Sequence, residues 1–166
     1  STGGTLTGAA FAVAKTVLDG GAGINTLKID GTDSILDLTN ATVSAKVSNF
    51  SVIDLTGTGP NTLKLNAASA LFLSGASDNA LTAVNEAKMI VVNGNTGDAV
   101  RLLDPQVNGV SQWTAGPVET GLDLIAKLGA AQGFVAGQSY KAYTLAGATV
   151  YINTALTVTD FGTPTT

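Results

Sequence analysis

The side chains available for chemistry are ten Asp, two Glu (Glu86 and Glu119), eight Lys or Arg and a few aromatics, with no His and no Cys. Without Cys there is no thiolate nucleophile, disulfide or zinc–thiolate site. Without His, the commonest general base, Ser-triad partner and transition-metal ligand is absent. Carboxylate chemistry remains. Asp30, Asp33 and Asp37, or Asp98 with Asp104, could supply the acid pair of glycoside hydrolysis. A sugar site also wants stacking rings, and the candidates are few: Trp113, Tyr140, Tyr143 and Tyr151. Asp in a Gly-rich turn is more often a turn-former than a catalyst. "GNTGDAV" (94–100) is no phosphate loop, because no Lys-Ser/Thr follows it. The residues therefore predict no enzyme. A carbohydrate-binding or carbohydrate-active β-helix protein is the alternative.

Composition narrows the class. A chain of 166 residues fits one domain with a sizeable core. Apolar residues are 45% but aromatics only 5%, so that core must be built from Val, Leu, Ile and Ala. Charged residues are 12%, about half the usual share, which leaves Thr, Ser, Asn and Gly to cover the surface. This is the composition of a secreted or surface β protein. The net charge of −4 offers no basic stripe for nucleic acid. No 18-residue apolar run exists, so no membrane span is expected. The chain begins at Ser1 without Met, which reads as a processed product or a piece of something longer.

The elements that would position these residues are short strands between turns. "TLKID" (26–30), "ILDLT" (35–39), "VSNFSVIDLT" (47–56), "TLKLN" (62–66), "MIVVNG" (89–94) and "AVRLL" (99–103) carry period-2 or continuous apolar patterns. Parity switches near Val52–Ile53, which predicts a bulge or corner. Gly-Thr-Asp-Ser, Gly-Thr-Gly-Pro-Asn and Asn-Gly-Asn-Thr-Gly-Asp are the turns. Short helical turns are expected around Ala70–Leu73 and Leu81–Lys88. A helix is expected in 120–131, with Thr120 as N-cap and Gly129 as stop. Residues 138–161 read as two or three strands around Ala146-Gly147. Large apolar residues recur every nine positions at 18, 27, 36, 63, 72, 81 and 90, with breaks at 45 and 54. Nine residues per half-coil suits a β-roll. The predicted fold is all-β: β-solenoid or β-roll-like coils plus a smaller β-section, with one or two short helices. A β-sandwich is the alternative. The expected organisation is an N-terminal strand or arm (1–18), one β-rich domain (19–161) and a loose tail (162–166).

"DGGAGINTLKID" (19–30) resembles the glycine–aspartate nonapeptide of calcium-binding RTX β-rolls. There the glycines expose carbonyls to calcium and an Asp completes the shell. Here Asn25 stands where the Asp should be and one copy is present, so an ion-free β-turn is the competing reading. A calcium site would need Asp19, Asn25 and Asp33 to converge on one ion. The likeness continues through "VSNFSVIDLTG" (47–57), "NTLKL" (61–65), "VNGNTGDAV" (92–100), Trp113, "YKAY" (140–143) and "VYI" (150–152). That order is similar to a module near the C-terminal end of large type I-secreted adhesins of Gram-negative bacteria. The resemblance implies a structural module of a bacterial surface or biofilm matrix, folded outside the cell and without catalytic residues.

A chain with few charges also leaves its strand edges poorly guarded. The segments "AAFAVAKTV" (9–17), with Phe11, Val13 and Val17, and "ALTVTDF" (155–161), with Leu156 and Val158, are the expected pairing strands of a self-assembling subunit. The expected partners are copies of the same chain or neighbouring modules of a larger adhesin. No cofactor is required by this reading, with calcium the one ion left open.

Overall fold

The computed structural model describes residues 5–6, 17–74, 88–104 and 112–159, the side chains of Thr5, Leu6 and Ala131 excepted. Its strands are β1 (Thr5–Leu6), β2 (Leu18–Asp19), β3 (Thr26–Ile29), β4 (Ile35–Asp37), β5 (Val47–Ser48), β6 (Val52–Asp54), β7 (Thr62–Leu65), β8 (Met89–Asn93), β9 (Ala99–Leu102), β10 (Thr114–Thr120), β11 (Ser139–Leu145), β12 (Ala148–Asn153) and β13 (Thr157–Thr159). The helices are α1 (Ala41–Ser44), α2 (Ala67–Leu73) and α3 (Gly121–Leu128). The fold is mostly β, with few and short helices.

Seven strands form one sheet in the order β1-β3-β6-β8-β12-β11-β10, four form a second in the order β13-β9-β7-β4, and β2 pairs with β5. All pairing is parallel except in the β12-β11-β10 meander. Consecutive strands such as β3 and β4 are therefore not hairpin partners, as they would be in an antiparallel sandwich. The chain gives β3 to the large sheet and β4 to the small one. It then comes round and lays β6 on β3 and β7 on β4. Strands β8 and β9, then β12 and β13, repeat the circuit.

The register explains the pattern of apolar residues. Leu27, Ile53, Val92 and Ile152 stack in one column, and Leu36, Leu63, Val100 and Val158 in another. All but Val158 are buried, and the columns form the main core between the two sheets. β-Branched and Leu side chains suit such columns because identical shapes repeat at the strand spacing of about 4.8 Å. The first positions of the nine-residue spacing fall on successive strands. Leu18, Leu27 and Leu36 lie on β2, β3 and β4. The next circuit begins at Val47, the partner of Leu18.

Two additions complete the molecule. Helix α2 packs against β5, β8 and β12 and buries Ala67, Ala70 and Leu73. Its N-terminus is closed by a reciprocal cap between Asn66 and Ser69. Helix α3 is capped by Thr120, whose hydroxyl accepts from Asp123 N–H, and ends at Gly129 with φ 97°. It covers the outer face of the large sheet, where Leu124, Leu128, Phe134 and Tyr140 meet Val52, Met89, Val91 and Tyr151. Trp113 lies in the main core with Tyr143 and Ala148. The parity switch before Val52 is a corner: Asn49 takes φ 62°, and β5 and β6 are separate strands. Strand β10 and helix α1 were not expected. Phe11 and Val13, the helical turn expected within 81–87 and the tail 162–166 lie outside the described residues.

Leu63 stands fully buried in the small sheet's column, between Leu36 and Val100. Leu63→Ala is expected to cost about 2–5 kcal/mol, the usual penalty for a core cavity. A urea titration with an unchanged slope would measure it.

Candidate functional site

The turn expected to hold calcium is closed by an amide. Asn25 is 8% exposed, and its Nδ2 lies 3.1 Å from Gly21 O, 3.1 Å from Gly23 O and 3.2 Å from Asn49 O. Three carbonyls thus converge on one nitrogen, the arrangement a cation would require, and the amide hydrogens satisfy them instead. Asp19 stands alongside: its Oδ1 accepts from Gly21 N–H at 2.9 Å and from Asn49 Nδ2 at 2.6 Å. The Asn49 and Gly21 hydrogen bonds hold its carboxyl below the ordinary value. Gly20 must be glycine here, since a Cβ would lie 2.1 Å from Asn49 O. Asp33 does not join them. It sits beyond the far end of β3 at φ 55°, donating its N–H to Pro60 O at 2.7 Å. Among the described residues no group of three carboxylates could hold a metal ion.

Asp98 is likewise engaged in structure. Asp98 and Asp104 flank β9 at its two ends, about 20 Å apart along an extended chain. Asp98 is 1% exposed and accepts from Asn61 N–H at 2.8 Å and Asn95 N–H at 2.7 Å. Burial pushes the Asp104 carboxyl up. Asn61, itself 1% exposed, accepts from Ser34 N–H at 3.1 Å and donates to Leu55 O and Gly59 O. Ser34, Asn61 and Asp98 occupy equivalent corners of successive circuits, each bonded to the next. The sole Trp and all three Tyr are buried, so they form no stacking platform for a sugar.

Charge is arranged between circuits. Lys28 on β3 faces Asp54 on β6, with Nζ to Oδ2 3.2 Å, and the ammonium also donates to Thr56 O at 2.8 Å. Asp37 on β4 faces Lys64 on β7 at 3.1 Å. The signs swap between sheets: the first circuit reads Lys then Asp, and the second reads Asp then Lys. Each of these Asp residues also accepts from the N–H and hydroxyl of a Thr two positions on, Thr39 or Thr56, which ends its strand. At Asp37, burial pushes the carboxyl up, but the Thr39 and Lys64 hydrogen bonds outweigh it and the net shift is downward.

The sheet ends are unequal. Edge strand β10 has register slippage between Ala115 and Val118 and carries Pro117. A bulge and a missing N–H are devices that stop a sheet from growing. Edge strands β4 and β13 carry neither. Ile35 of β4 is 61% exposed. Val17 is 68% exposed, Leu156 is 6% exposed beneath β13, and Val158 is half-buried at the centre of β13. Sequence reasoning anticipated the β13 edge from its alternation. It missed the β10 guard, whose signal was Pro117 in an exposed Thr/Val/Glu run.

Two variants test these assignments. Lys28→Asp sets like charges opposite each other and should cost about 1 kcal/mol. Adding Asp54→Lys should recover most of that, read as a double-mutant cycle in urea. Asn25→Asp should lose about 1–3 kcal/mol without calcium, because three carbonyls then face a carboxylate. Millimolar calcium should restore it while leaving the wild type unmoved. An equal calcium response in both chains would contradict the role given to the amide.

Comparison with family models, with curated proteins and with solved structures returned no match.

Proposed function

We propose that the chain is a non-enzymatic structural module of a bacterial surface or biofilm matrix, acting outside the cell by strand pairing between subunits. The parallel circuits are read as a three-sided β-solenoid, with β2 and β5, the large sheet and the small sheet as its sides. The observation that carries this reading is the open end of the small sheet. Strand β13 continues a parallel ladder of four strands and presents an outer edge with no proline, bulge or charge. A stack of this kind gains one further ladder whenever a strand is added.

Three observations support a mechanical role over a chemical one. Asp37, Asp54 and Asp98 are bonded to backbone N–H groups, Thr hydroxyls or Lys. The Trp and Tyr rings that could grip a sugar are inside. The exposed residues among those described are mostly Thr, Ala and Gly, as suits a module repeated or polymerised in a crowded matrix. The resemblance to type I-secreted adhesin modules points the same way, with the neighbouring module of a larger chain as the other partner. Calcium is not required for the turn at Asn25 on this reading.

Negative-stain electron microscopy of the purified chain, with and without calcium, tests the proposal. Regular filaments or linear oligomers in both conditions are expected. Monodisperse particles at every concentration would overturn self-assembly for this chain.

A further inference from the structure

Strand pairing within the small sheet shows which atoms remain to be used. Thr157 donates its N–H to Asp98 O at 3.0 Å, in a register that sets Thr157 opposite Ala99 and Thr159 opposite Arg101. In a strand the N–H and C=O of one residue point to the same side and alternate along the chain. Thr157 and Thr159 therefore face β9, and Val158 turns its N–H and C=O outward. No described strand pairs with that side. A second copy cannot stack a whole circuit there. At the level beyond β12 and β13 the large sheet already contains β11, and beyond it β10 with its bulge and Pro117. The opening is one strand wide in the small sheet alone.

The ladder states what strand would fit. Its successive triplets are Thr62-Leu63-Lys64, Ala99-Val100-Arg101 and Thr157-Val158-Thr159, with the middle residue turned toward the core. The next triplet needs an aliphatic residue between small or polar neighbours. Ala12-Val13-Ala14 has that pattern, within a short alternation of Phe11, Val13 and Val17 that Lys15 interrupts, and behind the glycine-containing lead Ser1–Gly8. Resting on the self-assembly reading above, we propose that the outer edge of β13 is the acceptor of the filament and that residues 9–17 of a second copy are its donor strand, with Val13 continuing the column Leu36, Leu63, Val100, Val158. Val158 N–H and C=O make the two central hydrogen bonds.

Two full-length variants separate donor from acceptor. Val158→Pro removes the outward N–H but leaves the bonds of Thr157 and Thr159 to β9, and the edge tolerates proline. Val13→Asp puts a carboxylate where the column is apolar. By size-exclusion chromatography with light scattering, each variant alone should be monomeric under conditions where the wild type polymerises. An equimolar mixture should give a heterodimer and stop there, since the proline chain can only donate and the aspartate chain can only accept. A synthetic peptide of residues 9–17 should cap wild-type assembly, a readout independent of how either variant folds. Wild-type polymers with Val158→Pro polymers of equal length would overturn this assignment and leave self-assembly standing. So would a mixture that stays monomeric while both variants keep wild-type circular dichroism. A monodisperse wild type would overturn both.

Discussion

At the corners of each circuit the backbone turns N–H and C=O groups toward an interior that has neither water nor a ladder partner. Leaving one such group unpaired costs on the order of 1–3 kcal/mol, so a stack of circuits stands only if every corner is satisfied. Short side chains with two polar ends do this here. Asn61 takes Ser34 N–H from the circuit before it and gives its own N–H to Asp98 in the circuit after it. Asn25 gathers the carbonyls of Gly21, Gly23 and Asn49. Because the bonds Asn25–Asn49, Ser34–Asn61 and Asn61–Asp98 cross from one circuit to the next, contacts that satisfy a corner also set the register of the strands on either side.

Once register is set, the rest of the pattern follows from it. A slip of one residue would turn every inward Leu, Ile and Val outward. The columns from Leu27 to Ile152 and from Leu36 to Val100 are fully buried only in the observed pairing. The charged residues reinforce it. Lys28 opposite Asp54 and Asp37 opposite Lys64 are half-exposed pairs, each worth little alone. Their value is discrimination, since Lys and Asp meet only when the circuits are in step. The alternation of "TLK" with "ILDL" in one circuit and of "VIDL" with "TLK" in the next is the written form of that rule.

How much of this was legible depended on whether a residue's role was local. The strands around Leu27, Leu36, Ile53 and Leu63 announce themselves by alternation, and α3 by its Thr120 cap and Gly129 stop. The nine-residue spacing was visible, but which strands pair is a long-range property, as in the pairing of Leu18 with Val47. Strand β10 could not be read, because "TAGPVET" is exposed on both faces and has no apolar alternation. Asn25 was noticed as a departure from an aspartate pattern. That its amide nitrogen stands among three carbonyls depends on Asn49, 24 residues away, which no local motif discloses.

The treatment of the edges links architecture to use. A parallel stack has two raw ends in each sheet, and an unguarded end invites uncontrolled association. This chain does not guard them evenly. The large sheet is extended by an antiparallel meander and finished with a proline and a bulge, while helix α3 and Phe134 shield its outer face. The small sheet stops at Thr157-Val158-Thr159 with nothing of the kind. If both ends were simply structural remainders, the same devices would serve both. At the β13 end, closing the large sheet while leaving the small one exposed narrows the open surface to a single strand's width. That confines any added chain to one place, one direction and one register, which is the condition for ordered growth instead of aggregation.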